Sequence, residues 1–365
     1  MQKQRVNVAV VGCGNISNIY LKNLTERYNN VNVYAISDLI AENAQAKSEK
    51  YGISKIMTFE EIIADPDVDI VLNLTTPPVH FQLCKAALQA GKHVYVEKPL
   101  SLNYKEGKEL VELAEQKGLL LGCAPDTFLG SGIQTCRRII DEGLIGRVIG
   151  ATAFMVCHGH ESWHPGPEFY YKKGGGPMFD MGPYYLTALI NLIGSVSSVS
   201  GMTAISMPTR TITSQPKYGQ IIDVEVPTHV NGLLRFKNGA IGSILTSFDV
   251  WGSTLPRIEI YGTRGSIQVP DPNGFGGEIK LKQYFDGDFV NYPAVTSNSE
   301  DCRGIGLSDM ANALLLKRKE HRANGKMGLH VLEIMEKIHT SSDTHMELQL
   351  ESSCERPAPL ELTEL

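Results

Sequence analysis

The first residues whose spacing suggests chemistry are glycines. Val6-Asn7-Val8-Ala9-Val10-Val11-Gly12-Cys13-Gly14-Asn15-Ile16-Ser17 is an apolar run that breaks into two close glycines and resumes with helical periodicity. A strand, tight turn and helix with Gly-x-Gly-x-x-small spacing form a pyrophosphate cradle. Gly12 permits the turn, Gly14 lets the backbone approach phosphate, and a small third residue, here Ser17, lets the helix pack close to the strand. The anion then lies on the helix N-terminus, against unpaired N–H groups and the positive end of the dipole. Gly12, Cys13, Gly14, Asn15 and Ile16 are the expected contacts. The next apolar run, 31–37, ends in Asp38, 21 residues beyond Ser17, where a carboxylate accepts hydrogen bonds from a ribose diol. Its neighbours Leu39 and Ile40 offer no cation for a 2′-phosphate, so the cofactor expected is NAD rather than NADP.

These residues need an α/β frame. Helical and extended patterns alternate through the first third. A helix over 41–50 stops before Gly52, and Thr58-x-x-Glu61 is a capping box. Residues 69–74 read as a buried parallel strand, and a helix over 79–90 closes at Gly91. Strand 93–96 ends in Glu97-Lys98-Pro99, Asn103-x-x-Glu106 caps a further helix, and 119–122 is a last strand. Six strand–helix units of this kind predict a doubly wound parallel sheet over residues 1–125. Ligands bind outside the carboxyl ends of such strands, so Asp38, Thr75, Thr76, Pro77, Glu97 and Lys98 should share one rim with the glycine turn. His80 either caps its helix or touches the nucleotide.

Residues 126–365 read differently. A helix over 133–142, a strand over 147–156 and a helix over 180–193 precede strands at 226–236, 240–250, 257–261, 266–269 and 278–284, the first two joined by a Lys237-Asn238-Gly239 turn. Helices near 306–323 and 327–341 precede a polar tail. The prediction is an α+β domain with an open, mainly antiparallel sheet. Its helices cover one face, which leaves the other for a second copy in a homodimer or homotetramer.

Composition narrows the class. The chain has 365 residues, 42% hydrophobic and 20% charged, with net charge −6. The longest basic run, Lys317-Arg318-Lys319, reads as a solvated helix face, so neither nucleic acid nor a membrane surface is an expected partner. No apolar run reaches the ~18 residues of a membrane helix. The seven cysteines form no Cys-x-x-Cys pair, which predicts reduced thiols and a cytoplasmic protein.

Glu97-Lys98-Pro99 after Gly91-Lys92-His93-Val94, and Gly174-Gly175-Gly176-Pro177-Met178-Phe179-Asp180-Met181-Gly182-Pro183-Tyr184, resemble the glucose-fructose oxidoreductase / inositol dehydrogenase / MocA (Gfo/Idh/MocA) family. The resemblance runs nearly the whole chain. It implies a Rossmann domain, pyridine-nucleotide oxidoreduction of a sugar, cyclitol or related polyol, and Lys98, Asp180 and Tyr184 as the reactive set. Tyr184 stands where the inositol dehydrogenases carry His. Oxidising a secondary alcohol moves a hydride to nicotinamide while another group takes the hydroxyl proton. A phenol is nearly all protonated at neutral pH, and an ammonium such as that of Lys98 favours phenolate and steadies the forming alkoxide. Asp180 binds the hydroxyl or holds Lys98. Two other classes fit less of the chain: a redox-assisted glycosidase with tightly held NAD, and a non-enzymatic NAD-binding regulator.

His158-Gly159-His160-Glu161-Ser162-Trp163-His164 could supply metal ligands, but a Gly/Pro loop imposes no ligand geometry, and no metal is expected. The reading adopted is a sugar loop, with Trp163 stacking on a ring and His160 and His164 bonding hydroxyls, while His158 and Glu161 suit loop packing equally well. Arg303 and His321 are open between substrate contacts and intersubunit groups.

Overall fold

In the computed structural model, which describes residues 4–285 and 287–360, the run Val6–Val11 is an inner strand. Val8, Ala9 and Val10 are fully buried, as a strand covered by helices on both faces requires. Among the described residues the sheet has five strands, in the order Val31–Ser37, Val6–Val11, Ile70–Asn73, His93–Val96, Leu121–Cys123, with every pairing parallel. The strand order reverses between Val6–Val11 and Ile70–Asn73, so the carboxyl ends of these two strands flank the crevice where such sheets bind ligands. Six units had been expected. The stretch after Gly52 contributes only the bridge Ile36–Ile56, because the Thr58–Glu61 capping box opens the next helix two residues later.

Local signals set most helix ends in this unit. Gly52 and Gly118 close their helices in the left-handed conformation, and Asn103 caps the helix Tyr104–Lys117 by accepting the Glu106 N–H. The helix Pro77–Gln89 starts earlier than expected, since prolines in the first turn have no N–H to lose.

The chain divides into two compact units, and the division does not follow a single cut at 125/126. Residues up to Leu129 group with Glu300–Leu332, and Gly130–Ser299 group with Glu333–Pro359. Long-range polar contacts hold the returning segment in the first unit. Asn23 Nδ2 donates to the carbonyls of Asp301 and Arg303 at 2.9 and 2.8 Å, and Tyr28 OH donates to that of Cys302 at 2.5 Å. Asp126 Oδ2 accepts Gly304 N–H and Gly306 N–H at 2.8 and 3.0 Å, ahead of and within the helix Ile305–Leu315. That helix ends before Lys317-Arg318-Lys319, which therefore lies in an exposed turn and not on a helix. His321 is buried behind Gly122, where an added Cβ would come within 3.1 Å of its Nε2. It is a core group of this unit. Arg303 Nη1 pairs with Asp301 Oδ2 at 2.7 Å.

The second unit carries a mixed sheet in the order Val290–Tyr292, Ile279–Gln283, Gly265–Val269, Ile258–Gly262, Val148–Val156, Ile241–Ser247, His229–Phe236, Val196–Ala204, Leu348–Gln349. Among the described residues only Val148–Val156 and Ile241–Ser247 pair in parallel. The residues after the last helix are more than a tail, since Leu348–Gln349 extends the sheet and Arg137 Nη1 donates to the Pro357 carbonyl at 2.8 Å. The helix Pro177–Ile193 packs on one face of the sheet. Ile338, on the last helix, reaches the same sheet over Gly201 and Gly232, where any Cβ would lie within 3 Å of it. On His229–Phe236, Val230, Gly232, Leu234 and Phe236 point inward while Asn231, Leu233 and Arg235 are exposed. Ile149, Met202 and Ile241 are exposed as well.

A separate two-stranded ribbon, Thr209–Thr211 with Ile221–Asp223, was not anticipated. Its three-residue strands are too short to show alternation.

Candidate active site

The first unit builds a nucleotide cradle from short-range geometry. Gly12 has φ +100°, and a Cβ there would sit 2.7 Å from the Leu74 carbonyl carbon, so only glycine fits. A Cβ on Gly14 would meet nothing within 4 Å, which leaves the turn open to a ligand. Ser17 is fully buried and its hydroxyl donates to the Gly14 carbonyl at 2.6 Å, tightening the turn. The helix Ser17–Glu26 has no side-chain cap at Ile16, so its first N–H groups suit an anion.

Asp38 is tied directly to this turn. Its Oδ2 accepts Cys13 N–H at 2.6 Å, and Oδ1 accepts Ile40 N–H at 2.8 Å. Asn43 Nδ2 also donates to Oδ1, at 3.4 Å, which leaves about one of the four acceptor positions of a carboxylate open. Leu39 and Ile40 are exposed beside it. Burial, with the Asp38 charge second, pushes the Cys13 thiol up to about 11, and this cysteine stays a thiol. Lys47, which sequence spacing did not single out, lies near this turn. Its ammonium is held by Asn18 Oδ1 at 2.5 Å.

At the end of His93–Val96, Glu97 Oε1 accepts Tyr20 OH at 2.7 Å and Oε2 accepts Lys98 N–H at 2.9 Å. The lysine backbone is thereby fixed from the helix that follows the glycine turn, and the Lys98–Pro99 bond is cis. Burial, then the Glu97 charge, keeps the Tyr20 phenol well above its ordinary range, as a donor. His80 is fully buried, with its ring nitrogens 2.8 Å from the Pro99 carbonyl and 3.0 Å from that of Thr75. It joins the two rim loops and has no surface for nucleotide, a correction to the sequence reading. Burial depresses its pKa, so it stays neutral. Thr75 Oγ1 donates to Asn73 Oδ1 at 2.6 Å, and Thr76 and Pro77 open the next helix.

The family model described as an oxidoreductase family with an NAD-binding Rossmann fold matches residues 6–124, and the GFO/IDH/MocA C-terminal-domain model matches 133–268. The chain belongs to the Gfo/Idh/MocA oxidoreductase family. Among similar proteins, D-xylose dehydrogenase of Paenarthrobacter nicotinovorans is 29% identical over 60% of this chain and 58% of its own length. The 1,5-anhydro-D-fructose reductase of Ensifer adhaerens is 30% identical over 64% of this chain and 67% of its own. A levoglucosan dehydrogenase solved with NADH and L-sorbose shares the fold, with a TM-score of 0.81 at 22% identity over 96% of this chain and 100% of that one.

In the second unit of this Gfo/Idh/MocA oxidoreductase, the triple glycine is a close-packing device. Cβ atoms on Gly175 would lie 2.5 and 2.7 Å from the Phe169 and Tyr170 carbonyls, and Gly176 has φ +87°. Its role is to start the helix Pro177–Ile193 tightly against the preceding turn, Pro167–Tyr171. Asp180 in the first helical turn and Tyr184 four residues on share a helix face.

The His158–His164 loop is pinned rather than loose. Glu161 is buried, accepts the Tyr171 hydroxyl, and pairs with Arg210 Nη1 at 3.0 Å; Arg210 Nη2 reaches Asp249 Oδ1 at 2.6 Å. Burial, with the Glu161 hydrogen bond second, keeps the Tyr171 phenol protonated. The Glu161 carbonyl accepts Thr213 and Ser214 N–H. His164 Nδ1 accepts Gly166 N–H at 3.0 Å. His158 stacks on Trp251 at 3.3 Å between centroids. His160 lies 3.4 Å from Asp180 Oδ2, with both ring nitrogens buried, so it faces the acid and not solvent, against the sequence reading. Trp163 is 61% exposed, and its ring meets His160 edge-on at 5.3 Å. Arg210 and Asp249 escaped sequence reading because their partners lie far off in the chain.

Proposed function

We propose that the protein is an NAD-dependent dehydrogenase acting on a CH–OH group of a sugar, cyclitol or glycoside. The observation that carries the cofactor reading is the Cys13–Asp38 hydrogen bond, which joins the phosphate turn to the ribose acid. The named activities of the relatives support the substrate class. NAD would supply a hydride acceptor held by Gly12–Gly14, Asn15, Ile16, Asp38, Thr75–Pro77 and Glu97. In this reading Lys98 donates to the reacting oxygen, Tyr184 relays its proton, and Asp180 binds and orients the hydroxyl. Trp163 and His164 hold the rest of the substrate. A panel of sugars, cyclitols and aryl glycosides, assayed for NADH formation with released aglycone followed in parallel, tests the reading. Aglycone release without NADH would replace it with redox-assisted cleavage.

NAD should bind at least ~10-fold more tightly than NADP, about 1.4 kcal/mol, because the Asp38 carboxylate repels a 2′-phosphate. Dissociation constants for both cofactors decide this. Asp38→Ser with Leu39→Arg should move the preference toward NADP, and equal affinities in the wild type would point to Lys47 as a phosphate ligand.

The exposed sheet face bearing Ile149, Met202, Leu233 and Ile241 supports assembly with a second copy in a homodimer or homotetramer. Light scattering at micromolar concentration should show at least a dimer, and Leu233→Glu with Ile241→Lys should give monomers. A wild-type monomer would sink the assembly reading.

A further inference from the structure

We propose that His160 is a positioning residue for Asp180, so that the reactive acid works as half of a His–Asp pair locked from below by Arg210. The proposal rests on the role given above to Asp180. Its geometric basis is the 3.4 Å approach of His160 Nε2 to Asp180 Oδ2. Neither ring nitrogen of His160 makes a hydrogen bond of good geometry among the described residues. A buried imidazole is costly unless its N–H finds an acceptor, and a shift of a few tenths of an ångström brings Nε2–H onto the carboxylate.

The surroundings leave the ring little other choice. Tyr170 at 4.1 Å, Phe248 at 4.6 Å and Trp163 at 5.3 Å pack around it. These rings fix its plane and, apart from the Tyr170 hydroxyl and the Trp163 indole N–H, which can only donate, offer no polar group. Charged and titratable groups near the pair include Glu161, Arg210, Tyr170, Tyr171, Cys157, His164 and Tyr184. Glu161 is already committed to Arg210 and the Tyr171 hydroxyl, so Asp180 is the acid left for the imidazole.

The backbone at His160 is held just as firmly. Tyr171 OH accepts the His160 N–H at 3.4 Å, and the adjacent Glu161 is clamped through both its side chain and its carbonyl. Arg210, delivered by the two-stranded ribbon, ties that clamp to Asp249. The ribbon thus helps to fix the orientation of an acid carried on another element. With Oδ2 engaged by the imidazole, the Asp180 carboxylate is held in one orientation.

Four measurements test this. His160→Phe keeps the aromatic packing and removes the donor, so kcat on the best substrate of the panel should fall by about 10²-fold, the scale of a 1 Å misplacement, with NAD affinity unchanged. His160→Gln, which restores an N–H near the Nε2 position, should recover most of that loss. In an Asp180→Asn background, His160→Phe should cost less than about threefold, because an effect exerted through Asp180 is absent there. Full activity in His160→Phe, or an equal penalty in both backgrounds, overturns the proposal. The fourth measurement needs no turnover, so it stands even if the dehydrogenase reading fails. In ¹⁵N-histidine spectra, the His160 signals, assigned by their loss in His160→Gln, should report the Nε2–H tautomer in the wild type and change in Asp180→Asn. Identical His160 signals in the two proteins would also overturn it.

Discussion

Tyr184→Phe is expected to lower kcat by ~10²- to 10⁴-fold, roughly 3 to 5 kcal/mol of barrier, and to leave NAD affinity unchanged. The substitution keeps the ring and its packing on the helix Pro177–Ile193 and removes the transferable proton. The glycine turn and Asp38 belong to the other unit and are untouched. Tyr184→His should recover part of the loss, since imidazole also relays protons. Lys98→Met should be at least as damaging if, as proposed, it removes the cation that steadies the alkoxide. Glu97 holds Lys98 through its backbone N–H, so the loop survives the change. Steady-state kinetics with a cofactor-binding titration separates the outcomes. A raised KM with kcat intact would make Tyr184 a binding group and pass the proton to Lys98 or Asp180.

A second large effect concerns stability and lies in the first unit. Asp126 and His321 are both buried there, and desolvation moves them in opposite directions. Asp126 is pushed up to about 6, with the Gly306 N–H opposing, and His321 is pushed down to about 4. Between about pH 4 and 6 the native state binds one more proton at Asp126 than the unfolded chain does, so this group's contribution to stability falls as pH rises. At His321 the native state binds one fewer, so its contribution rises with pH from about 4 to the ordinary histidine value near 6.5. Each shift of about two units corresponds to roughly 3 kcal/mol, and in the wild type the two slopes should nearly cancel. Asp126→Asn should therefore leave stability rising by roughly 3 kcal/mol across this window, and His321→Gln should leave it falling by a similar amount. Both tryptophans, Trp163 and Trp251, lie in the other unit. Amide hydrogen exchange at Val8, Ala9 and Val10 is accordingly the measurement to make. Parallel pH slopes in the two variants would refute the assignment.

The sequence by itself determined what depends on neighbours in the chain. The Gly12 turn, the Thr58–Glu61 box, the left-handed helix ends at Gly52 and Gly118, and the i, i+4 placement of Asp180 and Tyr184 all follow from spacings of a few residues. That Asp38 shares the rim of the glycine turn, which it meets across 25 residues, was legible because strand–helix–strand connections of fixed length bring adjacent parallel strands together at their carboxyl ends. Motif spacing across the chain likewise identified the family. Tertiary structure alone decided which buried polar groups meet. His80 faces two carbonyls instead of a nucleotide, Glu161 faces Arg210, His160 faces Asp180, and Asp126 receives N–H groups from residues 178 and 180 positions later. Periodicity records only whether a side chain is inside or outside. Once inside, a polar group must find a partner wherever the packed chain supplies one, and that partner's position in sequence carries no local mark. The same reason returned Glu300–Leu332 to the first unit. Its helix resembles any other in pattern, and its place was settled by Asn23, Tyr28 and Asp126, whose buried hydrogen-bonding groups it satisfies.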